Sequence, residues 1–152
     1  MKVIFLDFDG VLNSAKSPAD SGIDGLVIES GKMELLKQIV DATGAEIVLS
    51  TSWREYWSAD PGKCGSIGTR IRQIFDAHGL RILDKTPVLH TRREQEIVSW
   101  LETHPEVREF VVLDDRLMGD ERLKGHIIKT SFYFGGLDET DVQSAIKRLN
   151  RR

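Results

Sequence analysis

The 152-residue sequence contains only one cysteine, four prolines and no long hydrophobic run. A single cysteine, Cys64, can form neither an internal disulfide nor a thiolate zinc site. No apolar stretch approaches the ~20 residues that a membrane-spanning helix needs. The first twelve residues are largely apolar, but they carry two aspartates and lack a signal-peptide cleavage pattern. We therefore expect a cytoplasmic protein that does not enter a membrane.

The sequence also lacks a large excess of either charge, since the formal net charge is −3. This balance excludes a general electrostatic affinity for nucleic acid, although a local basic patch can exist within an acidic whole. A hydrophobic content of 40% and a charged content of 30% are typical of a globular protein. The length fits one domain, which we place at 1–152, and the sequence contains neither a repeat nor a low-complexity segment.

Short apolar runs alternate with segments of helical periodicity along the chain. The pattern predicts strands at 2–6, 45–49, 80–83, 110–113 and 126–130, and helices at 31–43, 71–77, 91–104 and 142–149. Ser30 is predicted to cap the first helix, and Thr91 with Glu94 to form a capping box on the third. Strands that alternate with helices through short connections favour a parallel sheet with right-handed crossovers.

The first predicted strand ends in two carboxylates, Asp7 and Asp9, followed by Gly10. Residues two apart in an extended segment point the same way, so both acids can face one small volume. Two anions at such a distance repel unless one is protonated or a cation lies between them, and Mg²⁺ prefers carboxylate oxygens. Glycine then allows a sharp turn close to a ligand. The same residues would also fit a solvated turn.

Two other predicted strands end in polar residues, namely Ser50-Thr51-Ser52 and Asp114-Asp115. Ligands of open parallel sheets bind at the carboxyl ends of strands, so these groups should converge on Asp7 and Asp9. A hydroxyl and successive backbone N–H groups after the second strand could hold a phosphate oxygen.

The residues at 7–13, D-F-D-G-V-L-N after an apolar strand, resemble motif I of the haloacid dehalogenase-like (HAD) phosphohydrolases. The resemblance implies that Asp7 is a nucleophile that forms an aspartyl-phosphate and that Asp9 is the general acid and base. It also implies an α/β, Rossmann-like three-layer sandwich around a mainly parallel sheet. The chain has no insertion long enough for a large cap domain, so the site should be open.

The other strand ends resemble the remaining HAD motifs. Motif II points to Thr51 as the phosphate-binding hydroxyl, with Ser50 as runner-up and Ser52 beside it. Motif IV implies Mg²⁺ ligands that join Asp7 and Asp9, and Asp115 is favoured over Asp114. Asp120 also fits one form of the motif IV spacing, so this assignment stays open.

Motif III of the family supplies a cation, because phosphoryl transfer concentrates negative charge on the equatorial oxygens. Lys85, Arg92 and Arg93 are the candidates. Arg93 is favoured, since a cation in the first turn of a helix opposes the helix dipole and has no local stabilising reason to be there.

Substrate contacts are expected from the two long loops, 14–30 and 53–68. Trp53-Arg54 resembles a small HAD subset that includes domains associated with RNA-repair proteins, and Arg54 and Trp57 are the candidate substrate contacts. We expect a phosphorylated substrate, with a nucleic-acid end or a nucleotide as first choice; packing of the tryptophans against the sheet is the alternative. Two other functions stay open: a non-catalytic phosphate-binding module of a repair or phage complex, and a receiver-like phospho-acceptor, against which Asp9 argues.

Overall fold

The computed structural model of the protein describes residues 1–18 and 22–151, in which five strands form one parallel sheet. The strands are β1 (Lys2–Leu6), β2 (Glu46–Leu49), β3 (Ile82–Lys85), β4 (Glu109–Asp114) and β5 (Ile127–Lys129). The helices are α1 (Ser30–Thr43), α2 (Gly65–Ala77), α3 (Arg93–Glu102) and α4 (Glu139–Leu149). The strand order is β3-β2-β1-β4-β5, which places the N-terminal strand at the centre. The predicted Rossmann-like α/β fold is therefore confirmed.

Side chains of the central strand alternate between two hydrophobic cores. Ile4 and Leu6 face a large core that also contains the buried faces of α1, α2 and α4. Val3 and Phe5 face a smaller core that α3 covers. Successive side chains of a strand point to opposite faces of a sheet, so an unbroken apolar run is what a strand covered on both sides requires. The result is the predicted arrangement of three layers.

The helix starts differ from those predicted from sequence. Glu29, not Ser30, is the N-cap residue of α1, and no side chain caps that helix. Arg92 occupies the N-cap of α3, so the predicted capping box of Thr91 and Glu94 is wrong. The capping box that does form lies at the start of α4, between Asp138 and Asp141.

The stretch predicted to be irregular at 53–68 contains regular elements. It holds most of one short 3₁₀ helix (Ser52–Tyr56), a second (Pro61–Lys63) and the first turn of α2, which begins at Gly65. The other strands begin and end within one residue of their predicted positions, but β3 begins and ends two residues later than expected. The loop predicted at 14–30 includes 19–21, which lie outside the described residues.

The sheet edge is open along the part of the chain that the structure describes, because no cap domain follows β1 or β2. None of the described helices combines the length and the hydropathy that crossing a bilayer would require.

Candidate active site

Three neighbouring strands end in polar residues at one edge of the sheet. β1 is followed by Asp7, β2 is followed by Ser50, and β4 ends at Asp114. Backbone hydrogen bonds join these ends, since Asp7 N–H donates to Leu113 O (3.0 Å) and Ser50 N–H donates to Leu6 O (2.9 Å). The structure thus brings together the three groups that the sequence places at strand ends.

The carboxylates of Asp7, Asp114 and Asp115 form an acidic cluster at this edge. One oxygen of each lies within 4.8 Å of the others. Asp7 and Asp114 are buried and Asp115 is half-buried. Burial, with the charge of Asp114 as the second cause, raises the pKa of Asp7 to about 7. The same two causes raise the pKa of Asp115. Three clustered carboxylate oxygens suit a hard cation such as Mg²⁺.

Gly10 lies where the loop after β1 approaches the loop after β4. Its φ of +83° lies in the left-handed region, and a Cβ there would collide with the Asp115 carboxylate. The Thr130 hydroxyl, which follows β5, donates a hydrogen bond to Gly10 O. Glycine is therefore needed both for the backbone conformation and for the close approach of Asp115.

Arg93 supplies the positive charge of the cluster. Its Nη1 donates to Asp7 Oδ2 (2.8 Å) and to Asp114 Oδ2 (2.9 Å), and the side chain is 8% exposed. Both carboxylates raise the pKa of this guanidinium, so it stays charged. Of the three residues considered for this role from sequence, Arg93 is the one that the fold brings against Asp7.

Asp9 lies beside the acidic cluster, and its carboxylate does not join it. Trp53 Nε1 donates to one carboxylate oxygen (3.1 Å) and Asn13 Nδ2 donates to the other (2.9 Å). Within residues 1–18 and 22–151, the set of acids close enough to share a cation comprises Asp7, Asp114 and Asp115. The expectation that the Asp9 carboxylate is a metal ligand does not fit this geometry. Its predicted acid and base role is a separate matter, because the side chain is exposed and oriented by two neutral donors.

The hydroxyl residues after β2 occupy different environments. Thr51 is fully buried, and its hydroxyl accepts from Trp53 N–H (3.3 Å). A hydrogen bond between Thr51 and Asp7 offsets a small part of the rise in the pKa of that carboxyl. The buried Ser50 hydroxyl has no hydrogen-bond partner among the described residues. Ser52 is exposed. An open pocket of about 220 Å³ is lined by Asp7, Asp9, Ser52, Arg93, Asp115 and Arg116.

Arg54 and Trp57, predicted to contact substrate, lie in the interior instead. Arg54 is 5% exposed and forms an ion pair with Glu96 (2.9 Å). Its guanidinium also donates to Thr51 O (2.8 Å) and Thr86 O (3.1 Å). Trp57 is 3% exposed and belongs to the larger core. Substrate contact by these two side chains does not fit their burial. Arg54 instead joins the loop after β2 to Thr86, which follows β3, and to Glu96 of α3.

The remaining sequence candidates lie away from the cluster. Lys85 Nζ donates to the carbonyls of Arg54 (3.1 Å) and Trp57 (2.6 Å), so it fixes the loop after β2. The Arg92 side chain is 79% exposed. Asp120 caps a short 3₁₀ helix and pairs with Arg122, and hydrogen bonds from that residue lower the pKa of Asp120 to about 2. Asp120 therefore fits the motif IV spacing, but its carboxylate caps a helix and lies outside the acidic cluster.

Three residues of the site were missed from the sequence. Asn13 Oδ1 accepts from Gly10 N–H (3.0 Å) while its amide holds Asp9, so it fixes the whole motif I turn. Glu94 accepts from two N–H groups of the loop that follows β4, at Gly119 and Asp120. Arg116 lines the pocket. The asparagine at the end of the D-F-D-G-V-L-N run was the one signal that could have been used.

The raised pKa of Asp7 predicts how the stability of the metal-free protein depends on pH. The folded state binds this proton more tightly than the unfolded chain, where the pKa is near its ordinary 3.8. Its contribution to the free energy of unfolding is largest when both states are protonated and falls as the pH rises through 3.8 towards 7. In EDTA, we expect Tm to fall on the order of 5 °C between about pH 5.5 and about pH 8.

Mg²⁺ should raise Tm more at the higher pH, because cations bind ionised carboxylates. The matched variant Asp7→Asn keeps the size of the side chain and cannot ionise, so its Tm should change less with pH. Differential scanning calorimetry measures both. An equal fall in the variant would assign the effect to other groups.

A parallel α/β sheet with a D-x-D turn, a second pair of carboxylates at Asp114 and Asp115, and a buried arginine at its carboxyl edge is the arrangement of a HAD-like protein. The model of one family, described as the HAD domain in Swiss Army Knife RNA repair proteins, matches residues 3–142. The chain belongs to that family. No curated protein and no solved structure matches the chain.

Proposed function

We propose that the protein is a Mg²⁺-dependent phosphomonoester hydrolase that acts through an aspartyl-phosphate on Asp7. The observation that carries this proposal is the position of the Asp7 carboxylate. It lies within 4.8 Å of the Asp114 and Asp115 oxygens, is paired with Arg93 and lines an open pocket. A carboxylate that is held at such an edge by a cation can reach a phosphorus atom placed in the pocket.

The residues present fit Mg²⁺. Asp7, Asp114 and Asp115 would hold the ion, since their oxygens converge and a single guanidinium cannot neutralise three carboxylates. Bound there, Mg²⁺ supplies neutralisation of charge on phosphoryl oxygens.

Asp7 and Asp9 have separate roles in the proposed reaction. An oxygen of Asp7 forms a bond to phosphorus as the bond to the ester oxygen breaks, and Asp9 gives its proton to that leaving oxygen. Asp9 then takes a proton from a water molecule, whose oxygen attacks the same phosphorus. This second step releases inorganic phosphate and restores the Asp7 carboxylate. The hydrogen bonds from Trp53 and Asn13 keep the Asp9 carboxylate oriented through both steps.

Other groups around the pocket would stabilise the transferred phosphoryl group. Arg93 presents a buried positive charge beside Asp7, where negative charge develops in the transition state. The exposed Ser52 lines the pocket, and Thr51 is buried behind it, next to Asp7. We assign the phosphate contact to this loop, with the Arg54–Glu96 ion pair as its support.

A nucleic-acid end or a nucleotide is our proposed substrate class. The open edge admits a large substrate, and the family takes its description from RNA repair proteins. Trp53, which donates a hydrogen bond to Asp9, has its ring centroid 5.7 Å from that of Tyr56, and half of Tyr56 is exposed. An aromatic pair next to the group that protonates the leaving oxygen is suitably placed to contact a nucleoside.

Mg²⁺ should switch on hydrolysis of a generic aryl phosphate, and excess EDTA should abolish it. Asp115→Asn should require more Mg²⁺ for half-maximal activity, because it removes one carboxylate from the cluster. Asp120→Asn is the matched control, since Asp120 lies outside that cluster and pairs with Arg122. A titration of the initial rate against Mg²⁺ measures all three proteins.

Full activity in excess EDTA would contradict the metal-dependent mechanism. The alternative function, a non-catalytic phosphate-binding module, predicts Mg²⁺-dependent binding of phosphorylated oligonucleotides with no release of phosphate under any of these conditions.

A further inference from the structure

Three consecutive aromatic residues after β5 are exposed to solvent. Phe132, Tyr133 and Phe134 have 37%, 76% and 84% of their surface accessible, and we call them the aromatic loop. The first two rings form an edge-to-face pair with centroids 5.5 Å apart. Burial of such side chains is favourable, so adjacent exposed rings indicate a surface that binds something.

Hydrogen bonds fix the aromatic loop to the motif I turn. Phe132 O accepts from Ala15 N–H (2.9 Å), and Leu137 N–H donates to Val11 O (2.9 Å). Immediately before the loop, the Thr130 hydroxyl donates to Gly10 O. A Cβ at Gly136 would lie 2.9 Å from the backbone oxygens of Asn13 and Val11, so the two segments are in close contact. The backbone of the aromatic loop is therefore held beside the turn that directly follows Asp7 and Asp9.

Positive charges lie at the same edge of the sheet. The Lys16 side chain passes the backbone of Gly135, because a Cβ at that glycine would lie 4.0 Å from Lys16 Cδ. Lys129 is the last residue of β5 and is exposed, and the exposed Arg116 lines the pocket. Aromatic faces combined with cations, next to a pocket suited to a phosphate, are the features of a surface that binds single-stranded nucleic acid.

We propose that the aromatic loop stacks on bases near the terminal phosphate of a single-stranded nucleic acid while Lys16 contacts its backbone. This inference rests on the proposed function, because it places the terminal phosphate in the pocket at Asp7. A purely apolar partner would not use the adjacent cations, and a free mononucleotide would not extend from the pocket to the loop. The loop thus selects a polynucleotide end.

The test uses the full chain and two double variants. Tyr133→Ala/Phe134→Ala removes both rings, whereas Tyr133→Leu/Phe134→Leu keeps apolar side chains without a flat face. Leu117→Ala is the control, since Leu117 is an exposed apolar residue, 86% accessible, in another loop. Fluorescence anisotropy with a labelled single-stranded RNA oligonucleotide that lacks a terminal phosphate measures affinity independently of turnover.

Both double variants should bind the oligonucleotide about tenfold more weakly than the wild type, and Leu117→Ala should bind as the wild type does. The ratio of kcat/KM for a phosphorylated oligonucleotide to kcat/KM for an aryl phosphate should fall by a similar factor in the double variants. A fall in affinity without hydrolysis of any substrate would overturn the proposed function and keep the binding surface.

Three results would overturn the inference. The first is equal affinity in all four proteins, or no binding by the wild type. The second is wild-type affinity in the leucine variant, which would exclude stacking. The third is concentration-dependent self-association, seen by analytical ultracentrifugation, that is lost in the alanine variant, since the surface would then belong to a second copy of the chain.

Discussion

Replacing Asp7 with asparagine should lower kcat by on the order of 10⁴-fold or more, with no phosphorylated protein formed at any time. Asparagine has the shape of aspartate and can still accept a hydrogen bond from Arg93, so the fold should persist. What is lost is the anionic oxygen that attacks phosphorus. Steady-state rates with an aryl phosphate and intact-protein mass spectrometry after rapid quenching measure the two parts of this prediction.

Asp9→Asn should behave differently, because it leaves the nucleophile in place. The loss of a general acid and base should slow formation and hydrolysis of the aspartyl-phosphate, each by about 10² to 10⁴-fold. Asp84→Asn is the matched control: Asp84 is a partly buried carboxylate that accepts from Trp100 Nε1 outside the site. Phosphate found on any residue other than Asp7 would overturn the assignment of the nucleophile.

Arg93→Ala should lower kcat/KM by roughly 10³-fold, the lower end of what a transition-state arginine contributes to phosphoryl transfer. The guanidinium donates to both Asp7 and Asp114, and it is 8% exposed. Its removal leaves two buried carboxylates facing each other, which should also raise the pKa of Asp7 further. The pH–rate profile should therefore move to higher pH in the variant.

The neighbouring Arg92→Ala is a stringent control for this effect. The Arg92 side chain is 79% exposed, and its Nε lies 3.6 Å from Glu94 Oε1. Removal of this exposed charge, one residue before Arg93, should change kcat/KM by less than about twofold. Equal losses in the two variants would show that the general positive potential matters, and not the contact with Asp7. Tm with saturating Mg²⁺ verifies that both proteins are folded.

Much of the fold could be predicted because the signals are local. The run from Val3 to Leu6 is apolar at every position, as a strand covered by helices on both faces requires, and β1 is the central strand. The helix predicted at 31–43 does end at Thr43, and Gly44 follows it with φ +71°. The capping boxes were predicted poorly, since Thr91-x-x-Glu94 satisfies the pattern while the Glu94 side chain accepts instead from the loop after β4.

The candidate site was predicted in part for a related reason. Parallel strands bring their carboxyl ends to one edge, so a polar residue after each apolar run is enough to expect that Asp7, Thr51 and Asp114 meet. The pairing of Arg93 with two of these acids depends on how α3 packs on the sheet. From sequence, the unfavourable position of a cation at a helix start only made Arg93 a better candidate than Lys85 or Arg92. Arg54 and Trp57 look from sequence like exposed loop residues, and only packing shows that they are buried.

The sequence by itself determined the alternation of strands and helices, the D-x-D turn and the family, because these depend on spacing along the chain. The tertiary structure alone decided that Asp9 stands apart from the acidic cluster, that Arg93 enters it, and that the aromatic loop lies beside motif I. These are contacts between residues that are far apart in sequence, or differences of orientation between near neighbours. Spacing carries no information about either, since both follow from the packing of α3 and of the loops against the sheet edge.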